Sequence, residues 1–473
     1  MGKQEQRPPH GGSRSGAHGG AALDVAAGAG GGSMSADAQR LPGPAEPEIA
    51  TTSATAGKVD DGGPLGRPFR VSLSSFAFTA AAMGVFIAGV PLIAASLTDS
   101  PQEISWIRTA MALPALLFGV VIGLIVDRTD RRRARLVALV ARSVLLFGGA
   151  VLALVGGLSI WVLVLFAFAF GTISELSTTA ARTITPQLVR REHLARANSR
   201  EEAVGLAFAE FVGAPIAAAL VLLGSVWLLG VPAALTLAGA LVLWLGLRGR
   251  DFRVPPSEEV GTESRWATLT SGFRFVLTHR ALRPVIIMAM IANFASSAYL
   301  AVFVLWMVGP ESPVGVTAAQ FPFFLTAQAV GAVAGALSVG RLKQVISEVP
   351  LAYLGWGSLS VAVVAQVLWP TWYVMAMSLA FLAFGNMVGN ITFMTILQRL
   401  TPQRVLGRVM GALSTLGSGL APAGALVGGV VAEAWGLSVL YLGVAAAVAL
   451  AVLYPTLTVS QRLVDEYEAV TGE

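Results

Sequence analysis

The sequence predicts an all-α membrane protein, with twelve transmembrane helices in two pseudo-symmetric halves of six and both termini in the cytoplasm. Three observations predict it. Of the 473 residues, 55% are hydrophobic and only 12% charged, whereas a soluble globular chain carries roughly 25% charged residues. Twelve apolar stretches succeed one another from Val71 onward, each long enough at ~1.5 Å per residue to cross ~30 Å of hydrocarbon. Lysine and arginine occupy alternate loops, the signature of loops that stay on the cytoplasmic side.

Residues 1–68 are rich in Gly, Ala, Ser and Pro and poor in large apolar side chains. They bury too little surface to order themselves, and read as a disordered cytoplasmic tail. A cleaved secretory signal needs an apolar run just behind the first basic residues. Here the first such run starts near Val71, so the first span is expected to be an uncleaved helix. The N-terminal half, 69–248, places its spans near 71–97, 104–126, 136–158, 160–182, 202–224 and 226–248. A cytoplasmic linker covers 249–283. The C-terminal half, 284–459, places its spans near 284–308, 319–341, 350–370, 372–397, 409–431 and 436–458, with a cytoplasmic tail over 460–473. Prolines inside these spans, such as Pro91, Pro114, Pro215, Pro232 and Pro422, are tolerated where neighbouring helices satisfy the freed carbonyls.

With the N-terminus inside, the cytoplasmic loops hold Arg128 through Arg135, Arg190 through Arg200, Arg250 through Arg283, Arg341 with Lys343, and Arg399 through Arg408. The outward loops near 98–103, 159, 225, 309–318, 371 and 432–435 contain no Lys or Arg. Arg108 and Arg142 are the basic residues expected well inside spans. Arg108 is expected to snorkel toward the outer headgroups. An even number of spans with both ends inside fits this pattern, in the inner membrane of a cell.

An internal repeat organises the spans. The string GLIVDRTDRRR (Gly123–Arg133) aligns with GALSVGRLK (Gly335–Lys343) at an offset of 212 residues, and Gly119 and Gly331 precede the two copies at the same offset. TPQLVRREHLAR (Thr185–Arg196) and TPQRVLGR (Thr401–Arg408) repeat the offset in setting Arg196 against Arg408. Such a parallel repeat is a device of membrane transporters.

The first string resembles the signature loop between helices two and three of major facilitator transporters, usually written GxxxDRxGRR, with Asp130 in place of the usual Gly. In the second copy Val339 stands where the acid belongs. EHLARAN (Glu192–Asn198), RFVLTHRALR (Arg274–Arg283) and LGRVMG (Leu406–Gly411) resemble the twelve-helix drug and siderophore exporters, the branch of macrolide efflux and enterobactin export proteins. The resemblance covers about residues 69–458. It implies a conformational lock of Gly123, Asp127, Arg128, Arg131, Arg132, Arg133 and Arg408. In that lock Asp127 caps the facing eleventh helix near Gly407 and Arg408 and closes the cytoplasmic side. An anion at a helix N-terminus gains roughly 0.3–1 kcal/mol. The alternative is that these charges are a solvated topology signal.

Glu175 and Glu210 are the carboxylates expected well inside spans, at a depth similar to that of Arg142. A buried charge in a span costs several kcal/mol unless paired or neutralised, so the three are expected to form a cluster that takes up and releases a proton. The alternative is a permanent ion pair that orients three helices. Family geometry implies a midplane cavity lined by helices one, four, seven and ten, with Met83, Phe86, Phe170, Asn293, Tyr299, Asn386, Asn390 and Phe393 as candidate lining. Asn386 and Asn390 are spaced i, i+4 and share one helix face. Such side chains also join helices to one another.

Other chemistry is excluded. No cysteine is present, so thiolate metal sites, disulfides and Cys nucleophiles are absent. The chain carries no HExxH, GxSxG or P-loop string, so the reading is not an enzyme, needs no cofactor, and draws its energy from a proton gradient. The net charge of +5 is spread over separate loops, without an aromatic-basic module for nucleic acid. The resemblance implies proton-coupled efflux of a hydrophobic or amphipathic small molecule by a monomer embedded in lipid. Competing readings are a lysophospholipid or nutrient transporter of the same fold and a membrane receptor that moves nothing.

Overall fold

The computed structural model describes residues 65–249, 252, 274, 278–280, 282–309, 312–401, 409–410, 412–413, 415–416 and 419–471. Nearly all of the expected N-terminal tail, most of the expected linker, and Gly407 with Arg408 lie outside the described residues.

The chain is built from helices. The first group contains α1 (Gly66–Ala95), α2 (Pro101–Arg128), α3 (Arg131–Leu154) and α4 (Ile160–Leu188). Next comes α5 (Leu194–Leu206), which runs through a π-helical segment, Ala207–Gly213, into α6 (Ala214–Val221); α7 is Ser225–Gly246. The second group contains α8 (Leu282–Ala301), the short α9 (Phe303–Met307), α10 (Phe321–Leu342) and α11 (Glu348–Leu368). It continues with α12 (Trp372–Leu400), α13 (Ala421–Trp435), α14 (Leu437–Thr458) and α15 (Gln461–Thr471).

Among the described residues ten helical spans are long and apolar enough to cross a membrane, and Pro101–Arg128 makes eleven if its two legs, bent by 60°, count as one. Over the eleventh expected span, 409–431, the described residues 409–410, 412–413, 415–416 and 419 are helical and are followed by the helix Ala421–Trp435. Two departures concern helix ends. α4 continues to Leu188, six residues beyond the expected end at Arg182. The expected C-terminal tail forms α15, whose Leu463 and Tyr467 pack against the base of the second group.

Local chemistry accounts for the helix starts. Ser100, Asp130 and Ser159 stand just before α2, α3 and α4, and each side chain accepts the N–H of the residue three positions on, satisfying a donor the helix leaves free. Asp130, at the position where the resembled motif has Gly, is thus the cap of α3. Gly224 (φ 97°) and Gly436 (φ 87°) turn the chain into α7 and α14. Only glycine adopts that backbone without strain, and the two lie 212 residues apart.

The helix pairings run in parallel through the two groups. In the first, α1 and α3 pack on α7, α2 and α3 on α4, and α1 on α5. In the second, α8 and α11 pack on α14, α10 and α11 on α12, and α8 on α13. Small residues allow the close approaches: Gly331 and Gly335 of α10 meet the Ala380 and Phe384 carbonyls of α12, and Gly424 and Gly428 of α13 meet those of Phe294 and Ala298 in α8. Large apolar side chains also point outward, Leu165, Leu222, Leu337 and Leu457 being 70%, 78%, 77% and 77% exposed. Water penalises such a surface and a lipid bilayer does not.

Helix direction alternates, so the ends carrying Arg128, Arg131, Arg190, Arg248, Arg283, Arg341 and Arg399 fall together. This is called the arginine-rich end below. At it, Glu348 at the start of α11 pairs with Lys343 after α10 at 3.0 Å and with Arg399 in the last turn of α12. Burial and the Arg399 charge hold the Lys343 ammonium below its ordinary pKa.

Candidate functional site

The largest concavity among those described is a cavity of about 990 Å³. Among the described residues its wall consists of α8, α11, α12 and the residues before α13, with one side chain from the first group, Arg182 of α4. Asn293, Asn386, Asn390 and Ser296 supply amide and hydroxyl groups, while Trp356 and Phe393, with ring centres 5.2 Å apart, supply an aromatic face. Asn386 and Asn390 also line a second crevice of about 250 Å³ with Glu210, Gln328 and Leu206. The amide edge of α12 therefore divides two spaces.

Away from the arginine-rich end, the two groups are joined. Ser100 Oγ donates to Glu433 Oε2 at 2.8 Å, and the backbone N–H of Gln102 approaches the same oxygen at 3.4 Å. Thr109 Oγ1 sits 3.4 Å from the Pro422 carbonyl, and Gly429 of α13 fits directly against Ser105 of α2. Deeper in, Thr326 Oγ1 donates to the Glu210 carbonyl oxygen at 3.2 Å. That carbonyl lies in the π-helical segment just before Pro215, where the proline's missing N–H and the altered register disturb the ordinary bonding ladder. Toward the arginine-rich end, by contrast, Gly119 and Gly123 of α2 face open space and Asp127 is exposed.

A family model described as Major Facilitator Superfamily matches residues 72–425. The chain belongs to that superfamily. Major facilitator membership makes it a membrane transporter and not an enzyme. It is 26% identical over 353 residues to the enterobactin exporter EntS of Escherichia coli O1:K1 / APEC, covering 73% of this chain and 81% of that protein. Among solved structures it resembles a bacterial homologue of the iron transporter ferroportin in its inward-facing state, with a TM-score of 0.65 at 14% identity. That match covers 85% of this chain and 99% of the other. It also resembles the nucleoside transporter NupG, with a TM-score of 0.62 at 12% identity, over 83% and 98%. These likenesses establish a common major facilitator fold.

Within this fold the sequence-predicted residues separate. Asn293, Asn386, Asn390 and Phe393 line the large cavity. Met83, Phe86, Phe170 and Tyr299, expected beside them, are not among its lining residues. Phe86 and Phe170 are buried and stacked with ring centres 3.7 Å apart. Tyr299 is buried, donates to Gln366 Oε1 at 2.9 Å, and packs against Tyr441. Gln366 passes the chain of bonds on to Ser378 Oγ at 2.9 Å. All three aromatic side chains serve the interior of their own helix group here.

The expected cluster of Arg142, Glu175 and Glu210 is not an ion-paired cluster in this structure. Arg142 is buried, donates to Met83 Sδ at 3.1 Å, and lies 4.6 Å from the centre of the Phe170 ring. No described ion pair within 4.0 Å joins it to either acid. Glu175 is half-buried in α4, and Glu210 faces the smaller crevice. Arg135 and Glu201, not singled out from the sequence, also lie inside helices. Arg135 is buried in α3 and donates to Ser72 Oγ at 3.0 Å, and Glu201 of α5 accepts from Thr185 Oγ1 at 2.8 Å.

Of the loop residues expected to form a lock, Arg131 donates to the Thr183 carbonyl at 3.3 Å and Arg132 to that of Trp244 at 2.8 Å, tying the start of α3 to α4 and α7. The Arg133 N–H is capped by Asp130 at 3.0 Å. Arg128 is exposed, as is Asp127, whose expected partner Arg408 lies outside the described residues.

Proposed function

We propose that this chain is a proton-coupled secondary transporter that exports a hydrophobic or amphipathic small molecule from the cytoplasm by alternating access. The observation carrying the reading is the cavity of about 990 Å³ walled by the second helix group and closed on one side by Arg182 of the first, with the groups joined at the end away from the arginines. Read with arginine-rich loops on the cytoplasmic side of the inner membrane, this is the cytoplasm-facing state. Both termini then lie in the cytoplasm. The 1–68 tail, the 249–283 linker and the 460–473 tail flank and join two six-helix halves, 69–248 and 284–459. The matching helix pairings and the 212-residue repeat support the twelve-helix, duplicated architecture.

In the opposite state, Asp127 and the arginine loop, with Arg408, would seal the cytoplasmic side. Glu210, beside the cavity and at the junction with Thr326, is the better placed of the two candidate proton carriers. Arg142, buried without a described acid partner, is the group an approaching carboxylate would neutralise. The enterobactin exporter's name and the amide and aromatic wall together support amphipathic organic solutes.

Transport in energised inside-out vesicles tests the reading. A panel of amphipathic antibiotics and siderophores is expected to include a solute that accumulates in the lumen and is released when the proton gradient is collapsed. Accumulation only in right-side-out vesicles would make the protein an importer. Absence of counterflow for every solute bound would make it a receptor.

A further inference from the structure

Among the described residues the large cavity holds one charge that motif and composition did not single out. Arg182 lies in the last two turns of α4, is exposed, and lines this space. Among the described residues every other lining side chain is uncharged. Among the described residues no carboxylate lies within 4.0 Å of its guanidinium. The rest of the wall comes from the second helix group, so a solute held there meets the first group through Arg182.

We infer that Arg182 selects the solute, and that the solute is an aromatic or otherwise apolar molecule bearing an anionic oxygen group such as a carboxylate, sulfonate or phenolate. The inference rests on the transporter reading and gives its substrate class. A guanidinium presents a planar fork of donors that fits such a group in two parallel hydrogen bonds, and it stays charged at any physiological pH. Asn293, Asn386 and Asn390 add amide donors, and Trp356 with Phe393 adds a face for an apolar body. The nearest acid of the neighbouring crevice, Glu210, lies beyond the Asn386 and Asn390 edge in a separate space. It does not line the cavity that Arg182 faces.

The position gives the charge a second consequence. A ligand seated on the amides of α12 and α8 with its anion on Arg182 bridges the two helix groups. Binding then links the groups whose relative motion moves the solute, whereas a cation of the same shape leaves Arg182 unneutralised and holds the groups apart.

The test uses the full-length protein in nanodiscs and three probes of one shape: naphthalene-2-sulfonate, its uncharged sulfonamide, and 2-naphthylmethylammonium. Titration calorimetry is expected to rank them in that order, with the sulfonate at least about tenfold tighter than the ammonium, as a charge-assisted hydrogen-bond pair gives. Arg182→Gln removes the preference while keeping the parent melting temperature, Arg182→Lys keeps part of it, and Arg182→Glu reverses the order. Undetectable sulfonate binding, equal or tighter ammonium binding, or a sulfonate affinity unchanged in Arg182→Gln would overturn the inference. Parent-protein ranking alone suffices if a variant does not fold. Anion binding without counterflow would defeat the transporter reading and spare this one; counterflow of the ammonium alone would do the reverse.

Discussion

Ser100 Oγ donates to Glu433 Oε2 at 2.8 Å, linking the cap of α2 to the last turn of α13. The same hydroxyl accepts the N–H of Glu103 at 3.3 Å, so one serine both starts a helix and holds the facing one. The Glu433 carboxylate sits at the N-terminus of α2, where the helix dipole favours an anion. An exposed charged contact of this kind is worth about 0.2–1 kcal/mol.

Glu433→Ala is expected to loosen closure at that end. The chain has no cysteine, so Ser296→Cys places a unique thiol in the cavity wall. Its reaction with a membrane-impermeant maleimide supplied from the Ser100 side should rise up to about fivefold when Glu433 is removed, the factor that ~1 kcal/mol provides. An unchanged rate would assign closure to Thr109, Pro422 and the Gly429 contact instead.

The paired glycines predict unequal sensitivity. A Cβ at Gly331 would collide with the Ala380 carbonyl, and one at Gly84 with the Ala209 carbonyl, whereas Gly123 has nothing within 4 Å of such an atom. Gly331→Ala and Gly84→Ala must separate helices and are each expected to cost roughly 1–3 kcal/mol, lowering the melting temperature in detergent. Gly123→Ala should melt with the parent protein. A loss of stability at Gly123 equal to that at Gly331 would mean that α2 packs more tightly than described.

Most of the fold was legible because lipid imposes simple rules. Apolar length, loop arginines and a repeated string placed α7 closely, expected at 226–248 and found at Ser225–Gly246, whereas α5 begins at Leu194, eight residues before the expected 202. What remained hidden depended on which way a side chain faces. Asn386 and Asn390 could be placed on one face from their spacing, and both line the cavity. Phe86 and Phe170 carry no mark in the sequence that they stack on each other rather than on a ligand. The expected span ended at Arg182, where the apolar run gives way to polar Thr183 and Thr185. The helix nevertheless runs on to Leu188, with Thr183 bonded back to the Ala180 carbonyl and Thr185 to Glu201.

Arg142 offers a test that separates stability from function. It is a buried guanidinium whose described neighbours are a thioether and an aromatic face. Replacing a buried charge with an apolar side chain of similar volume is commonly neutral or stabilising. Arg142→Met is therefore expected to melt at or above the parent temperature while abolishing proton-driven transport. A marked fall in melting temperature would instead make Arg142 a structural strut between α1, α3 and α4.

His279 predicts a pH dependence outside the membrane-spanning part. Its Nδ1 accepts the Leu282 N–H at 3.3 Å at the start of α8, and its ring lies 4.7 Å from that of Tyr467 in α15. Burial lowers its pKa below the ordinary 6.5, so the folded state binds this proton less readily than the unfolded one. The stability this provides is fully present above the unfolded value and is lost as pH falls through the folded value, where the imidazolium can no longer accept from Leu282. The ring is half-exposed, so solvent screening keeps the effect small. Hydrogen exchange of the α15 amides, corrected for intrinsic rate, should show less protection at pH 5 than at pH 7.5. His279→Gln, which keeps an acceptor but does not titrate, should remove the difference. Persistence of the difference in that variant would place the titrating group elsewhere.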